Sequence, residues 1–374
     1  MVAPGALPWG VMLSDDRNQR KIEDLQRCLR SRPDDRELLL RLVQLYKESG
    51  QPKAAADLLK SNLGQAQSDW EILQECAESY RLSGEPAKGL ESLVAMVSEH
   101  GDRAGYWSLR GRMQEDIGNL EQARLEHEHA LEIDESDPEA RYRLGVTLMK
   151  SGRADEAIVA FERCVKIDPR MTKAQINIGY IHDRQGDQEK AILAFRKAIE
   201  MNPQSVESHC NLGAAYGDLG RKREAIEEFR TAIKIDPQCA PAHFNLGVIY
   251  LEDRPEESKA YLQRALALDP QNTEIQYYLG VLYFKKGMYE NAVKYLQRCR
   301  DQAPDSPRIL YVLGMAYNKS DMPDSAIEVL GRLCELESTN ADAHYNLGIA
   351  LDKKGLYDQA KAAYRQADQL MQKS

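Results

Sequence analysis

Histidines, cysteines and close-set acids are the side chains from which these 374 residues could build a reactive centre. The run Glu126-His127-Glu128-His129 has the make-up of a metal-binding tract. On a helix, though, residues two apart point to nearly opposite sides, so these four cannot easily share one ion. The seven cysteines (Cys28, Cys76, Cys164, Cys210, Cys239, Cys299 and Cys334) are odd in number and widely spaced, with no C-x-x-C pair. That usage fits neither a disulfide framework nor a zinc site, and it points to a reducing, cytoplasmic home. There is no G-x-S-x-G elbow, phosphate-binding glycine loop, dinucleotide fingerprint or H-E-x-x-H. The chain is therefore read as a non-enzyme with no catalytic, cofactor-binding or metal residues, acting through its surface.

Bulk properties narrow the partners. Lys and Arg number 50 against 59 Asp and Glu, a net charge of -9, whereas proteins that coat phosphate backbones carry net positive charge or a dense basic stripe. Nucleic acid is not an expected partner. No stretch approaches the roughly 20 apolar residues that span a bilayer, so no membrane insertion is expected. The apolar opening, Met1 to Leu13, lacks a basic leader region and carries two prolines and two glycines. It makes a weak signal peptide, and residues 1–17 are read as a flexible lead-in.

What would position a functional surface is a period. A glycine, preceded in most units by Leu or Ile, recurs at Gly111, Gly145, Gly179, Gly213, Gly247, Gly280, Gly314 and Gly348, in steps of 34, 34, 34, 34, 33, 34 and 34. Three residues later several units have a tyrosine (Tyr216, Tyr250, Tyr283, Tyr317), and twelve later an alanine (Ala123, Ala157, Ala191, Ala225, Ala292, Ala326, Ala360). Sixteen later comes Phe161, Phe195, Phe229, Leu296, Leu330 or Tyr364. A glycine seven later, as in Gly118, Gly152, Gly186, Gly220, Gly287 and Gly355, sits where a first helix must stop and turn. A proline 24 later (Pro169, Pro203, Pro237, Pro304) blocks continuation of a second helix. Between these marks the apolar spacing, for example Ala157, Phe161, Cys164 and Ile167, is that of an amphipathic helix. Small residues at the glycine and alanine slots let the two helices approach, and the bulky slot fills the space between units.

A 34-residue period with Leu-Gly-x-x-Tyr, Ala-x-x-x-Phe and a closing Pro resembles the tetratricopeptide repeat family. The resemblance implies an all-α, right-handed superhelical solenoid of helix-turn-helix repeats, an α-α superhelix. Ten repeats occupy 36–374, starting near 36, 70, 104, 138, 172, 206, 240, 273, 307 and 341, with Val43 and Ala77 as degenerate glycine slots. Residues 18–35, with Ile22, Leu25, Cys28 and Pro33, are read as an N-terminal capping helix. The tenth repeat has no helix after it, which leaves self-association through that uncapped end as an expectation. In the unit of Gly247 one residue is lost at the turn, Arg254 replaces the turn glycine and Ser258 takes the alanine slot, so this junction should bend or twist differently. His209, His243 and His344 stand where the family often has Trp, as Trp107 does here, and are read as structural. Cys28, Cys164 and Cys299 share a slot filled elsewhere by alanine, which need only be small and apolar.

The remaining candidate surface is the face of the first helices, where the family binds peptides. Asn177, Asn211, Asn245 and Asn346 stand two residues before the glycine and resemble the asparagine ladder of O-linked N-acetylglucosamine transferase and related peptide-binding arrays. One residue earlier runs Tyr142, Ile176, Cys210, Phe244, Tyr277, Tyr311 and Tyr345; with Tyr180, Phe284 and Met315 this predicts an aromatic groove toward the C-terminal half. Lys285, Lys319 and Lys353 add a basic row there. The family's chaperone-tail clamp would need lysine in the row that carries Tyr, Phe, Ile and Cys, so that specificity is not expected. The reading is a protein-interaction scaffold or adaptor that holds an extended peptide in its concave groove. The alternative is a regulatory or substrate-recruiting subunit of an enzyme carried on a separate chain.

Overall fold

A computed structural model describes residues 9–63 and 69–372, with the side chains of 9–17 and 63 left aside. The chain divides into two units, Met1–Asn202 and Pro203–Ser374. The first holds α1 (Trp9–Ser31) and five hairpins: α2 (Arg36–Glu48) with α3 (Pro52–Leu63), α4 (Trp70–Leu82) with α5 (Pro86–Val94) and the short α6 (Val97–His100), α7 (Ala104–Ile117) with α8 (Leu120–Ile133), α9 (Pro138–Lys150) with α10 (Ala154–Ile167), and α11 (Thr172–Arg184) with α12 (Gln188–Met201). The second holds α13 (Val206–Asp218) with α14 (Lys222–Ile235), α15 (Ala240–Ile249) with α16 (Pro255–Leu268), α17 (Thr273–Lys285) with α18 (Tyr289–Gln302), α19 (Pro307–Lys319) with α20 (Pro323–Leu336), and α21 (Ala341–Lys353) with α22 (Tyr357–Met371). No strand occurs among the described residues. Of the lead-in expected at 1–17, residues 9–17 are helical and form the start of α1, while 1–8 lie outside the described residues.

Local chemistry sets these boundaries. Asp35, Asp69, Asp137, Ser205, Asn272 and Asn340 each cap a first helix by accepting from a backbone N–H two or three residues on. The first helices end in a tight reversal. At Gly118 the backbone is left-handed (φ 93°), and the Asn119 N–H reaches back to the Gln114 carbonyl at 2.9 Å, satisfying carbonyls that the helix end leaves open. In the ninth hairpin Asp321 takes the left-handed conformation (φ 56°) that glycine takes elsewhere.

Packing explains the repeated glycine. A Cβ on Gly145 or Gly179 would lie 2.6 or 2.5 Å from the ring of Phe161 or Phe195, so each second helix approaches its partner to a distance only glycine permits. In the third hairpin the fully buried His127 plays the ring's part against Gly111. The alanine slots Ala123, Ala157, Ala191, Ala225, Ala292 and Ala326 are fully buried. Tyrosines three residues after the glycine tie neighbouring hairpins: Arg230 donates to the Tyr250 hydroxyl at 3.1 Å and Gln297 to that of Tyr317 at 2.7 Å.

The seventh hairpin departs from this pattern because it is one residue short. α15 stops at Ile249, and the residue at the turn-glycine position, Arg254, has a negative φ (-141°) in place of the left-handed one. Leu251 N–H bonds the Val248 carbonyl, and the Gly247 carbonyl receives the Ser258 hydroxyl at 2.7 Å. The serine at the alanine slot thus supplies a donor that the shortened helix lost.

Candidate peptide-binding groove

Successive first helices touch at α4 with α7, α7 with α9 and α9 with α11 in the first unit and at α13 with α15, α17 with α19 and α19 with α21 in the second, and successive second helices do not pair to that extent. Each unit therefore bends with its first helices on the inner side. Asn177 and Tyr180 belong to the first unit; Asn211, Phe244, Asn245, Tyr277, Phe284, Lys285, Tyr311, Met315, Lys319, Tyr345, Asn346 and Lys353 belong to the second.

The asparagines are partly exposed. Asn245 donates to the Pro241 carbonyl of its own helix at 2.9 Å, and Asn346 to that of Asp342 at 2.8 Å. An amide has two donors and an acceptor, so this bond fixes the Asn245 side chain while using one hydrogen. Asn177 instead points toward the Tyr142 hydroxyl at 3.5 Å.

Aromatic side chains occupy the same face of the second unit. Tyr278 packs edge-on to Phe244 (centroids 5.5 Å) and to Tyr277 (5.4 Å). The Arg308 guanidinium lies 4.7 Å from the Tyr277 ring and pairs with Glu274. Burial pushes the Tyr277 and Tyr311 hydroxyls above their ordinary pKa, so both stay neutral donors at physiological pH. Tyr278, Arg308 and Glu274 were not singled out in the sequence. Tyr278 occupies the asparagine slot of its repeat, which was the signal available.

The lysine row is not a bare cationic strip. Lys285 pairs with Glu252, at the same repeat position one hairpin earlier, and Lys353 contacts Asp321 at 3.1 Å and the Asn318 carbonyl at 2.6 Å. Lys319 is exposed. The inner face of the first unit carries ion pairs instead. Glu78 binds Arg81 and Arg112, and Arg81 also reaches Asp116.

The remaining chemistry-bearing side chains each have separate partners. Glu126 meets Arg110 at 2.8 Å, His127 meets Glu115 at 3.0 Å, Glu128 meets Arg124 and His129 meets Glu132 at 2.9 Å. His209, His243 and His344 direct Nε2 to a carbonyl six residues earlier, at 3.3, 3.1 and 3.2 Å. Trp107 and Gln276 make the same bond at 2.7 and 2.9 Å. The slot selects a side-chain N–H that reaches the linker, which is why Trp, His and Gln interchange there. On the outer side of the first unit, Leu125, Val159 and Leu193 are exposed at one repeat position, where Asp57, Glu91 and Glu227 stand in flanking repeats.

Models of the tetratricopeptide repeat match residues 138–171, 206–239, 250–316, 283–334 and 341–372, and a TPR repeat model matches 179–220. Together they cover more than half of the chain. The chain belongs to the tetratricopeptide repeat family. No curated protein matches it. Among solved structures, one of Pseudomonas aeruginosa PilF is 20% identical, with a TM-score of 0.51 over 56% of this chain and 96% of that one. One of PilW, a widely conserved type IV pilus biogenesis factor, is 22% identical, with a TM-score of 0.50 over 55% and 96%. At that identity they share the fold with this tetratricopeptide repeat protein. Its helical hairpins make it a protein-interaction scaffold, and no described helix is long and apolar enough to cross a membrane.

Proposed function

We propose that the inner face of the second unit holds an extended segment of a partner protein, gripping its backbone through Asn211, Asn245 and Asn346. Asn245 carries the reading: a side chain anchored by one amide hydrogen keeps a donor and an acceptor for a peptide unit, and so reads chain direction without demanding a particular residue. Helix spacings of roughly 8–10 Å against about 3.3 Å per extended residue give each rung at least about three ligand residues. Phe244, Tyr277, Tyr278 and Tyr311 supply the surface for apolar ligand side chains. The paired Lys285 and Lys353 add less charge selectivity than an open basic row would.

The test is capture of partners from native extract, followed by calorimetry with the combined Asn211, Asn245 and Asn346→Ala variant. Each lost hydrogen bond should weaken binding by roughly 0.5–1.5 kcal/mol, while Leu193→Glu on the outer side of the first unit leaves the affinity unchanged. Equal affinity of the triple variant and the parent sinks the reading. A captured enzyme whose rate changes on mixing favours the subunit alternative.

A further inference from the structure

Cys210, on the inner face of α13, and Cys239, at the start of α15, bring their sulfurs to 3.3 Å although they lie 29 residues apart in sequence. No repeat slot relates them. They meet because a first helix lies beside the residue that opens the next one. Cys164 and Cys299, by contrast, point their thiols at backbone carbonyls, at 3.3 and 3.5 Å. Cys210 is half-buried and Cys239 is 7% exposed, so a small uncharged reagent can reach the first sulfur while the second waits behind it.

We propose that Cys210 and Cys239 are a redox site that hydrogen peroxide closes into an intramolecular disulfide. The Cys210 sulfur, having lost its proton, attacks one peroxide oxygen. The O–O bond breaks, and hydroxide leaves and takes up the proton as water. The resulting Cys210 sulfenic acid is attacked by the Cys239 sulfur; the S–O bond breaks, and the leaving hydroxide takes the Cys239 proton as a second water. Each sulfur gives up one electron and the peroxide accepts two. Closing to a bond of about 2.05 Å needs a sulfur shift of roughly 1.2 Å. Cys239 can supply it, because it is the helix-capping residue with extended backbone (φ -69°, ψ 90°) and moves without unwinding α15. Burial, and then the neighbouring thiol, hold the Cys210 proton on well above the ordinary range, and the acidic Asp236 and Glu207 push the same way. The site is therefore slow at neutral pH and answers sustained oxidation, not brief pulses. It is independent of whether the inner face binds a peptide.

To test it, the full-length protein is exposed to hydrogen peroxide, remaining thiols are alkylated, and unreduced peptides are mapped by mass spectrometry. The expected result is a joined pair of peptides containing Cys210 and Cys239, separated by dithiothreitol, with Cys164 and Cys299 recovered alkylated. The joining rate should rise roughly tenfold per pH unit, following the thiolate fraction. In Cys239→Ser, where serine remains a good helix cap, dimedone should trap Cys210 as the sulfenic acid. Recovery of both residues as alkylated thiols after a peroxide dose that oxidises exposed Cys28 overturns the proposal. So does a wild-type product in which Cys210 has become sulfinic acid beside a Cys239 that is still a thiol.

Discussion

Glu115 is almost fully buried, which by itself would raise its pKa, yet donors from His127, Lys150 and Thr147 together hold it down to about 2. A carboxyl depressed on folding contributes stability that is complete above the unfolded value near 4.5 and is lost as pH falls toward 2. The contribution is up to about 3 kcal/mol. Thermal melts across that window should show the loss, and Glu115→Gln should melt lower at neutral pH with a much shallower acid limb. An unchanged acid limb in the variant would place the effect elsewhere. Packing at the glycine slots makes a second prediction. A Cβ at Gly280 would meet Leu296 Cγ at 2.6 Å, whereas at Gly213 it would meet the Phe229 ring at 2.9 Å. Gly280→Ala should therefore cost more than Gly213→Ala, within roughly 1–3 kcal/mol, and equal melting temperatures would contradict the geometry. These glycines were legible from their sixteen-residue offset to a bulky partner. The Cys210–Cys239 approach was not, because spacing arguments compare like slots and these two are unlike.

Among elements, the shortened seventh hairpin has the most particular chemistry. Ser258→Ala restores the residue type common at that slot but leaves the Gly247 carbonyl without its hydroxyl donor. The loss should be roughly 1–3 kcal/mol, read by denaturant melts against Ala292→Ser, which places the same hydroxyl where the preceding helix has its full length. If Ser258→Ala is stabilising, the hydrogen bond is incidental. The sequence disclosed this irregularity through Arg254 and Ser258, but not how the chain compensates, since that depends on which carbonyl the truncated helix leaves open. The partners of the lysine row are a related case. Lys285 and its acid, Glu252, hold the same offset in successive repeats, and they pair because the fold brings the end of α17 to the turn that follows α15.

At the scale of the molecule, stability within each of the two units is a sum over neighbours, because there each hairpin packs chiefly on the ones beside it. Native-state hydrogen exchange should accordingly report local losses. Gly314→Leu, which collides with Leu330, should deprotect α17 to α22 while α7 to α10 keep their protection. A uniform loss along the chain would mean one cooperative unit. The missing residue of the seventh hairpin also shows where this chain can change length. Removed from a turn, it displaces all later numbering by one and leaves every later helix face in place: Leu279, Leu296 and Leu313 remain fully buried. Removed from inside a helix, the same residue would swing everything beyond it by about 100° and carry such leucines into water. Places where one residue can be lost without rotating a buried face therefore recur about every seventeen residues, at the turns between helices.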